Sequence, residues 1–141
     1  LFQYLSRTRH LIAEKLVQPK HRARRAALEL RLLNVEAELR GIRELGLEAI
    51  EAVMSKTPIT TQPSVLKVTS SRLYQTITEI GAEVVGPEFA ARMPLQEDSA
   101  FDENEQATLW IQNYFYSRVR TIYGGSDEVQ KNMVARELFG H

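Results

Sequence analysis

Two adjacent glycines, Gly124 and Gly125, interrupt a helical pattern near the end of the chain, between Tyr123 and Ser126. Glycine adopts positive φ at no Cβ cost, and its small size lets a ligand approach the backbone closely. Ser126 is a favourable N-cap, and a helix start offers unpaired N–H groups at a positive dipole end. These residue types predict either a turn that binds an anionic or carbonyl oxygen, or a plain connection between two helices.

Two other clusters have both a binding and a structural interpretation. The basic run at residues 20–25 could contact phosphate, but it is not accompanied by an aromatic platform. We interpret it as a solvated helix face, because such runs are common on chains without excess charge. The spacing of Trp110 and Tyr114 on one predicted helix favours packing into the core, with a tyrosine or two lining a cavity.

Metal chemistry is not indicated by any spacing in the sequence. His10, His21 and His141 are scattered, and the acidic residues at positions 98–105 lack the glycine-anchored pattern of a calcium loop. The chain contains no cysteine, which excludes disulfides, thiolate nucleophiles and zinc–thiolate sites. We therefore expect no metal.

The composition fits one globular domain over residues 1–141. Lys plus Arg and Asp plus Glu are both 18, so no global field draws the chain to nucleic acid or an anionic membrane. No apolar run reaches the roughly 18–20 residues of a membrane helix, and residues 1–17 do not resemble a signal peptide. We expect a cytoplasmic protein and, since the chain does not begin with Met, further sequence upstream.

Helical periodicity dominates, and no segment alternates with period two over strand length. Helices are predicted over about residues 1–17, 19–54, 63–85, 104–119 and 127–139, with a linker at 55–62 and a polar, acidic loop at 89–103. Gly86 and Gly140 are expected to end the third and last helices. The fold class is therefore all-α, an up-and-down helical bundle of four to five helices.

The apolar stripes indicate which helix faces form the core. In the first helix the stripe is Leu1, Leu5, Ile12 and Leu16. In the second helix it is Ala23, Ala26, Leu30, Leu33 and Ala37, continued by Ile42, Leu45, Ala49 and Val53. In the third helix it is Leu66, Leu73, Ile77, Ile80 and Val84. Gly41 and Gly46, inside the second helix, predict a bend or close helix packing, since each is unfavourable there by about 1 kcal/mol.

The end of the chain resembles the closing signature of acyl-CoA dehydrogenases. That signature reads roughly Ile-Tyr-(Glu/Gly)-Gly-(Thr/Ser)-x-(Glu/Gln)-(Ile/Val)-Gln, followed by a helix with an Ala-Arg pair and a terminal Leu-x-Gly. Residues 121–132 agree with it, as do Val134-Ala135-Arg136 and Leu138-Phe139-Gly140. The turn Glu83-Val84-Val85-Gly86-Pro87 is similar to a family turn that follows the third helix of the C-terminal domain. The resemblance covers residues 19–141, with 1–17 as the remnant of the domain's first helix.

The resemblance implies a flavoprotein that carries FAD and oxidises an acyl-CoA thioester to a trans-2-enoyl-CoA. In this family a carboxylate removes the α-proton and a hydride leaves the β-carbon for the flavin. Electrons then pass to an acceptor protein. The flavin lies between a β domain and this bundle, and the bundle of a partner subunit reaches its adenosine end. The resemblance therefore also implies a homo- or hetero-oligomer, a dimer or a tetramer.

Site residues carry over from the family by position. The substrate-binding residues would be Tyr123, Gly124 and Gly125, beside the thioester. The flavin-binding residues at the following helix start would be Ser126, Asp127 and Glu128. A second group of cofactor-binding residues, at the FAD of the neighbouring subunit, would be Glu83 and Gly86.

Three departures from the family bear on activity. Gly124 occupies the position of the usual catalytic Glu and cannot act as a base, so the catalytic residue is unknown. Members that place this Glu on the first helix have it at a position that falls at or before Leu1, and Glu14 lies too far along. The Arg-x-x-Phe-Gly contact to FAD is missing from residues 17–25, and Glu83 replaces a Gln; an acid beside a pyrophosphate is unfavourable.

These departures leave three hypotheses. The first is an acyl-CoA dehydrogenase whose catalytic base is supplied from outside this chain, so that the domain alone is inactive. The second is a non-catalytic subunit of a hetero-oligomeric acyl-CoA dehydrogenase, whose homologous partner brings the base. The third is a helical assembly module without a ligand.

Overall fold

The computed structural model describes residues 1–86 and 106–140, in which every regular element is helical. The helices are α1 (Phe2–Lys15), a 3-10 turn (Pro19–His21), α2 (Arg22–Met54), α3 (Gln62–Val85), α4 (Gln106–Val119) and α5 (Asp127–Phe139). The predicted all-α bundle is confirmed. The predicted acidic loop at 89–103, the helix start at Asn104, Pro87 and His141 lie outside the described residues. Within the described ranges no helix combines the length and the apolarity that crossing a bilayer requires.

The third helix, α3, is the centre of the bundle and packs against α1, α2, α4 and α5. Its end pairs with the first part of α2, because Glu83 lies 2.6 Å from Arg31. Its beginning packs against the second half of α2, where Leu66 faces Gly46. The two helices therefore run antiparallel.

The fourth helix returns along α3 in the opposite direction. Trp110, near the start of α4, lies against Gly81, near the end of α3. Thr121, just after α4, accepts a hydrogen bond from Lys67, near the start of α3. These contacts make the up-and-down arrangement of α2, α3 and α4, and they bring the segment after α4 to the beginning of α3.

One core joins these helices. Its buried members come from α1 and the residue after it, α2, α3 and α4. They are Leu5, Leu11, Ile12, Leu16, Leu28, Leu32, Val35, Leu39, Leu73, Ile77, Ile80, Val84 and Trp110. The predicted stripes of α1 and α3 are largely confirmed, with Leu1 and Leu66 only half-buried. Trp110 packs into the core as expected, and Tyr114 is half-buried.

The first half of the predicted stripe of α2 is wrong, whereas in its second half Ile42, Leu45 and Ala49 are half-buried and Val53 is exposed. Leu30 and Leu33 are 60% and 56% exposed, and Ala23, Ala26 and Ala37 are exposed as well. The core face is instead formed by Leu28, Leu32, Val35 and Leu39. Both sets have helical spacing, but the second set consists wholly of large side chains. Burying it removes more apolar surface from water, at about 25 cal/mol per Å².

The glycines of α2 also differ from expectation. The helix is one continuous element, and a Cβ at Gly41 would meet no atom within 4 Å. A Cβ at Gly46 would make an ordinary contact of 3.9 Å with Leu66. The close approach of two helices occurs at Gly81 instead, where a Cβ would overlap the indole of Trp110. The close-packed glycine therefore belongs to α3, where the largest side chain of α4 needs room.

Candidate functional site

The turn between α4 and α5 contains the predicted substrate-binding residues. Gly124 and Gly125 have φ of +68° and +89°, in the region that side-chain-bearing residues rarely adopt. The predicted helix break is therefore confirmed. Tyr123 precedes the glycines with its side chain 61% exposed, so the turn presents an aromatic ring and bare backbone together.

The start of α5 has the predicted N-cap. Ser126 has extended backbone angles, and its hydroxyl accepts a hydrogen bond of 3.3 Å from the N–H of Val129. The side chain of Gln130 donates back to the carbonyl of Gly124 at 2.8 Å, which closes the turn on the helix. Among the described residues, the N–H groups of Ser126 and Glu128 have no acceptor. These donors, at the positive end of the helix dipole, are available to an oxygen ligand.

A single lysine ties this turn to the centre of the bundle. Lys67 of α3 donates to the carboxylate of Asp127 at 2.6 Å and to the carbonyl of Thr121 at 3.1 Å. The two charged side chains are only 18% and 16% exposed, so the pair is largely shielded from water. Asp127, predicted at the flavin, thus uses one carboxylate oxygen to hold α5 against α3.

Removing the charge of Lys67 should loosen this attachment. We expect Lys67→Met to lower the free energy of unfolding by about 2 kcal/mol, because it leaves a shielded carboxylate and a carbonyl without their donor. Urea unfolding measures the loss, and hydrogen exchange of the α5 amides shows whether that helix opens first. Lys20→Met, at an exposed position, is the matched control and should change stability by less than about 0.5 kcal/mol. Equal losses in both variants would contradict this role of Lys67.

Tyr74 lies buried beneath the same region and joins three helices. Its hydroxyl donates to the side-chain carbonyl of Asn113 at 2.7 Å, and its ring packs edge-on against Tyr4 at 5.0 Å between centroids. Burial, helped by the neighbouring Tyr4 hydroxyl, raises the pKa of Tyr74 well above its usual range. Tyr74 is therefore a neutral phenol that supports the site.

The second predicted group of cofactor residues lies at the other end of α3. Glu83 is paired with Arg31, and its backbone carbonyl accepts a hydrogen bond of 2.6 Å from Arg24. Gly86 ends α3 with a φ of +87°. At 1.5 Å per helical residue, Glu83 lies about 24 Å along α3 from Lys67. The two groups of predicted residues are therefore not brought together within one chain.

The interpretation of the basic run also changes in part. Most of its side chains are exposed, as expected for a solvated helix face. Arg24, however, is engaged with the end of α3. Within the described residues, the Glu83 carboxylate pairs with Arg31, whereas Arg24 binds only the backbone carbonyl of Glu83.

Two residues at the turn had no signal in the sequence. Lys67 lies in α3 and Arg120 directly follows α4, and with Tyr123 they line one cavity of about 400 Å³ beside the glycines. Neither belongs to a recognisable motif, and only the antiparallel packing of α3 and α4 brings them together. Tyr116 lines the same cavity, which agrees with the expectation that a tyrosine of α4 could do so.

Comparison with known proteins identifies the family. The sequence matches the family described as acyl-CoA dehydrogenase, C-terminal domain, over residues 3–139. It is 31% identical to acyl-CoA dehydrogenase IpdE1 of Mycobacterium tuberculosis over 110 residues, which are 78% of this chain and 26% of that protein. It is 34% identical to acyl-CoA dehydrogenase IpdE1 of Mycolicibacterium smegmatis over 98 residues, 67% of this chain and 22% of that protein.

The chain thus spans about a quarter of the length of these curated relatives. No solved structure matches it. The helical fold, the capped α5 and the glycine turn agree with the family match. This chain belongs to the acyl-CoA dehydrogenase family and corresponds to the family's C-terminal domain.

Proposed function

We propose that this chain is the C-terminal domain of a FAD-dependent acyl-CoA dehydrogenase, in which the catalytic base comes from outside the chain. The observation that carries the proposal is the turn at Gly124 and Gly125, with two positive φ angles followed directly by a capped helix start. Such a turn lets a planar ligand approach the backbone and aims N–H donors at an oxygen. The names of the two relatives supply the reaction class.

The residues of the turn fit this role. A Cβ at Gly125 would lie 2.7 Å from the side-chain nitrogen of Gln130 and would displace that side chain, and the φ of +89° disfavours any residue other than glycine. Tyr123, Gly124 and Gly125 would border the thioester, and the N–H groups at Ser126 and Glu128 would face the flavin. When bound, FAD supplies the acceptor for the hydride that leaves the β-carbon.

The base is the missing part of the proposed machinery. Gly124 has no side chain, and Asp127 is held by Lys67 at 2.6 Å. Glu128 is an exposed residue in the first turn of α5, where the resemblance assigns it to the flavin and not to the α-carbon. A positioned general base contributes about 10²–10⁴-fold to rate. We therefore assign the carboxylate to a segment upstream of this domain or to another subunit.

A hetero-oligomeric assembly is the second candidate function, in which this subunit is non-catalytic. It is favoured by the ion pair of Glu83 with Arg31, which occupies that carboxylate at a position where the family resemblance places Gln. A partner surface is available as well. A second apolar face of α2 is exposed and includes Leu30, Leu33 and Leu47. A homologous subunit seated on it would bring its own base and flavin site, and an acceptor protein would receive the electrons.

The test uses the full-length protein that contains this chain, expressed alone and together with any homologous subunit encoded beside it. We expect a yellow protein whose flavin absorbance bleaches when acyl-CoA is added without oxygen. Bleaching by the protein expressed alone supports the homo-oligomer, and bleaching that requires the second subunit supports the hetero-oligomer. A protein that carries no flavin in either preparation would contradict both the homo-oligomeric and the hetero-oligomeric dehydrogenase. The hypothesis of a helical assembly module without a ligand would then remain.

A further inference from the structure

The cavity beside the glycine turn has a chemistry of its own. It encloses about 400 Å³ at the junction of α3 and α4, and it is lined by Lys67, Ser70, Ser71, Tyr116, Arg120 and Tyr123. Every lining residue carries a hydrogen-bonding side chain, and none is purely apolar. The volume lies within the range of small-molecule sites, about 300–1,000 Å³.

The cavity has one uncompensated positive charge. The guanidinium of Arg120 lies 4.7 Å from the centre of the Tyr74 ring, and it forms no ion pair with any residue in the described parts of the chain. Lys67 is already balanced by Asp127, but two of its three N–H donors are used there and at Thr121, so one remains. A ligand would therefore meet a net charge of about +1 with at least two cationic donors.

Hydroxyl groups complete the polar lining. Ser70 donates to the carbonyl of Lys67 in its own helix at 3.1 Å, and Ser71 donates across the cavity to the carbonyl of Arg120 at 3.3 Å. The Ser70 hydroxyl can therefore rotate towards a stronger acceptor without breaking a contact between elements. The phenols of Tyr116 and Tyr123 have no hydrogen-bond partner within residues 1–86 and 106–140. Donors of this number suit an oxygen-rich anion, since charge-assisted hydrogen bonds are about twice as strong as neutral ones.

We propose that this cavity binds a small molecule through a compact oxyanion, either a carboxylate or a phosphate monoester, with Arg120 as its main charged contact. The planar fork of Arg120 matches two oxygens of either group. The proposal does not depend on flavin binding, because its main contact is the side chain of Arg120 and not the N–H groups at the start of α5. Of the lining residues, Tyr123 is shared with the proposed thioester-binding residues.

Titration of the full-length protein with inorganic phosphate and, separately, with acetate tests the proposal at constant ionic strength. We expect saturable binding by isothermal titration calorimetry or amide chemical-shift change. Tighter binding of phosphate identifies a phosphate monoester as the ligand group, and tighter binding of acetate identifies a carboxylate. If neither anion gives a saturable signal, the proposal is wrong.

Variants locate the binding. Arg120→Gln should weaken the preferred anion by about tenfold or more, because it removes the only uncompensated charge. Ser70→Ala, which removes one lining hydroxyl and cannot disturb the stacking on Tyr74, should weaken it by about threefold and serves if Arg120→Gln does not fold. Arg43→Gln, at an exposed arginine of α2, is the matched control and should bind like the unaltered protein. Equal weakening in the Arg43 and Arg120 variants would place the anion elsewhere.

Discussion

Gly81→Ala is expected to lower the free energy of unfolding by about 2 kcal/mol, although alanine is the better helix former. The new Cβ would overlap the body of the Trp110 indole, which is a rigid ring and only 3% exposed. Overpacking of a close-packed core costs about 1–3 kcal/mol, and overlap with three ring carbons puts this substitution at the upper end. Subtracting the gain of about 1 kcal/mol in helix propensity leaves a loss of about 2 kcal/mol. A lower midpoint in urea with an unchanged slope measures this effect.

Gly41→Ala is the matched control for this substitution. Gly41 also lies inside a helix, but a Cβ there would meet nothing within 4 Å. The same change should therefore raise the free energy of unfolding by about 1 kcal/mol, from helix propensity alone. Opposite signs at the two glycines are the expected result. Stabilisation by both substitutions would mean that α3 and α4 do not meet closely at Gly81 and Trp110.

Gly125→Leu is expected to reduce the flavin bound per protein by about tenfold or more, if the proposed function is correct. A leucine at a φ of +89° is strained, by about 1–2 kcal/mol for a left-handed residue. Its Cβ would also meet the side chain of Gln130, which now donates to the carbonyl of Gly124. Both effects move the turn away from the helix start. Flavin absorbance of the purified full-length protein gives the measurement.

Gly140→Leu separates backbone strain from the binding role. Gly140 has a comparable φ of +71° with open space around it, and it lies at the opposite end of α5. The Gly140→Leu variant should therefore have a similar backbone strain, and the full-length protein that carries it should retain its flavin. Unchanged flavin and acyl-CoA affinity in Gly125→Leu would show that the glycine turn is only a connection, which is the prediction of the assembly-module hypothesis.

The sequence predicted those features of this protein that depend on neighbours along the chain. Ser126 caps α5 and Gly140 ends it in the left-handed conformation, as their residue types indicate. Pro63 lies in the first turn of α3, where its missing N–H has no cost. The glycine turn with positive φ belongs to the same class, because the conformational preference of glycine is a property of the residue itself.

Features that depend on distant parts of the chain could not be predicted. The helix α2 has two apolar stripes, and periodicity alone does not say which of them meets α3. The choice of Leu28, Leu32, Val35 and Leu39 over the alanine-rich stripe came from the total apolar area that packing removes from water. In the same way, Gly81 is the close-packed glycine because Trp110 lies opposite it. Gly41 is not close-packed, because a Cβ there would meet no atom within 4 Å.

The candidate site also contains features of both kinds, some predictable from the sequence and some not. The turn at Gly124 and Gly125 and the family to which it belongs were evident in the sequence, since they lie in one continuous segment. The tie from Lys67 to Asp127 and the cavity that Arg120 lines arise from antiparallel packing of α3 against α4. Local preference acts through a few adjacent bonds and is encoded in adjacent residues, whereas a contact between distant residues exists only after the helices pack. Tertiary structure alone therefore decided what surrounds the turn.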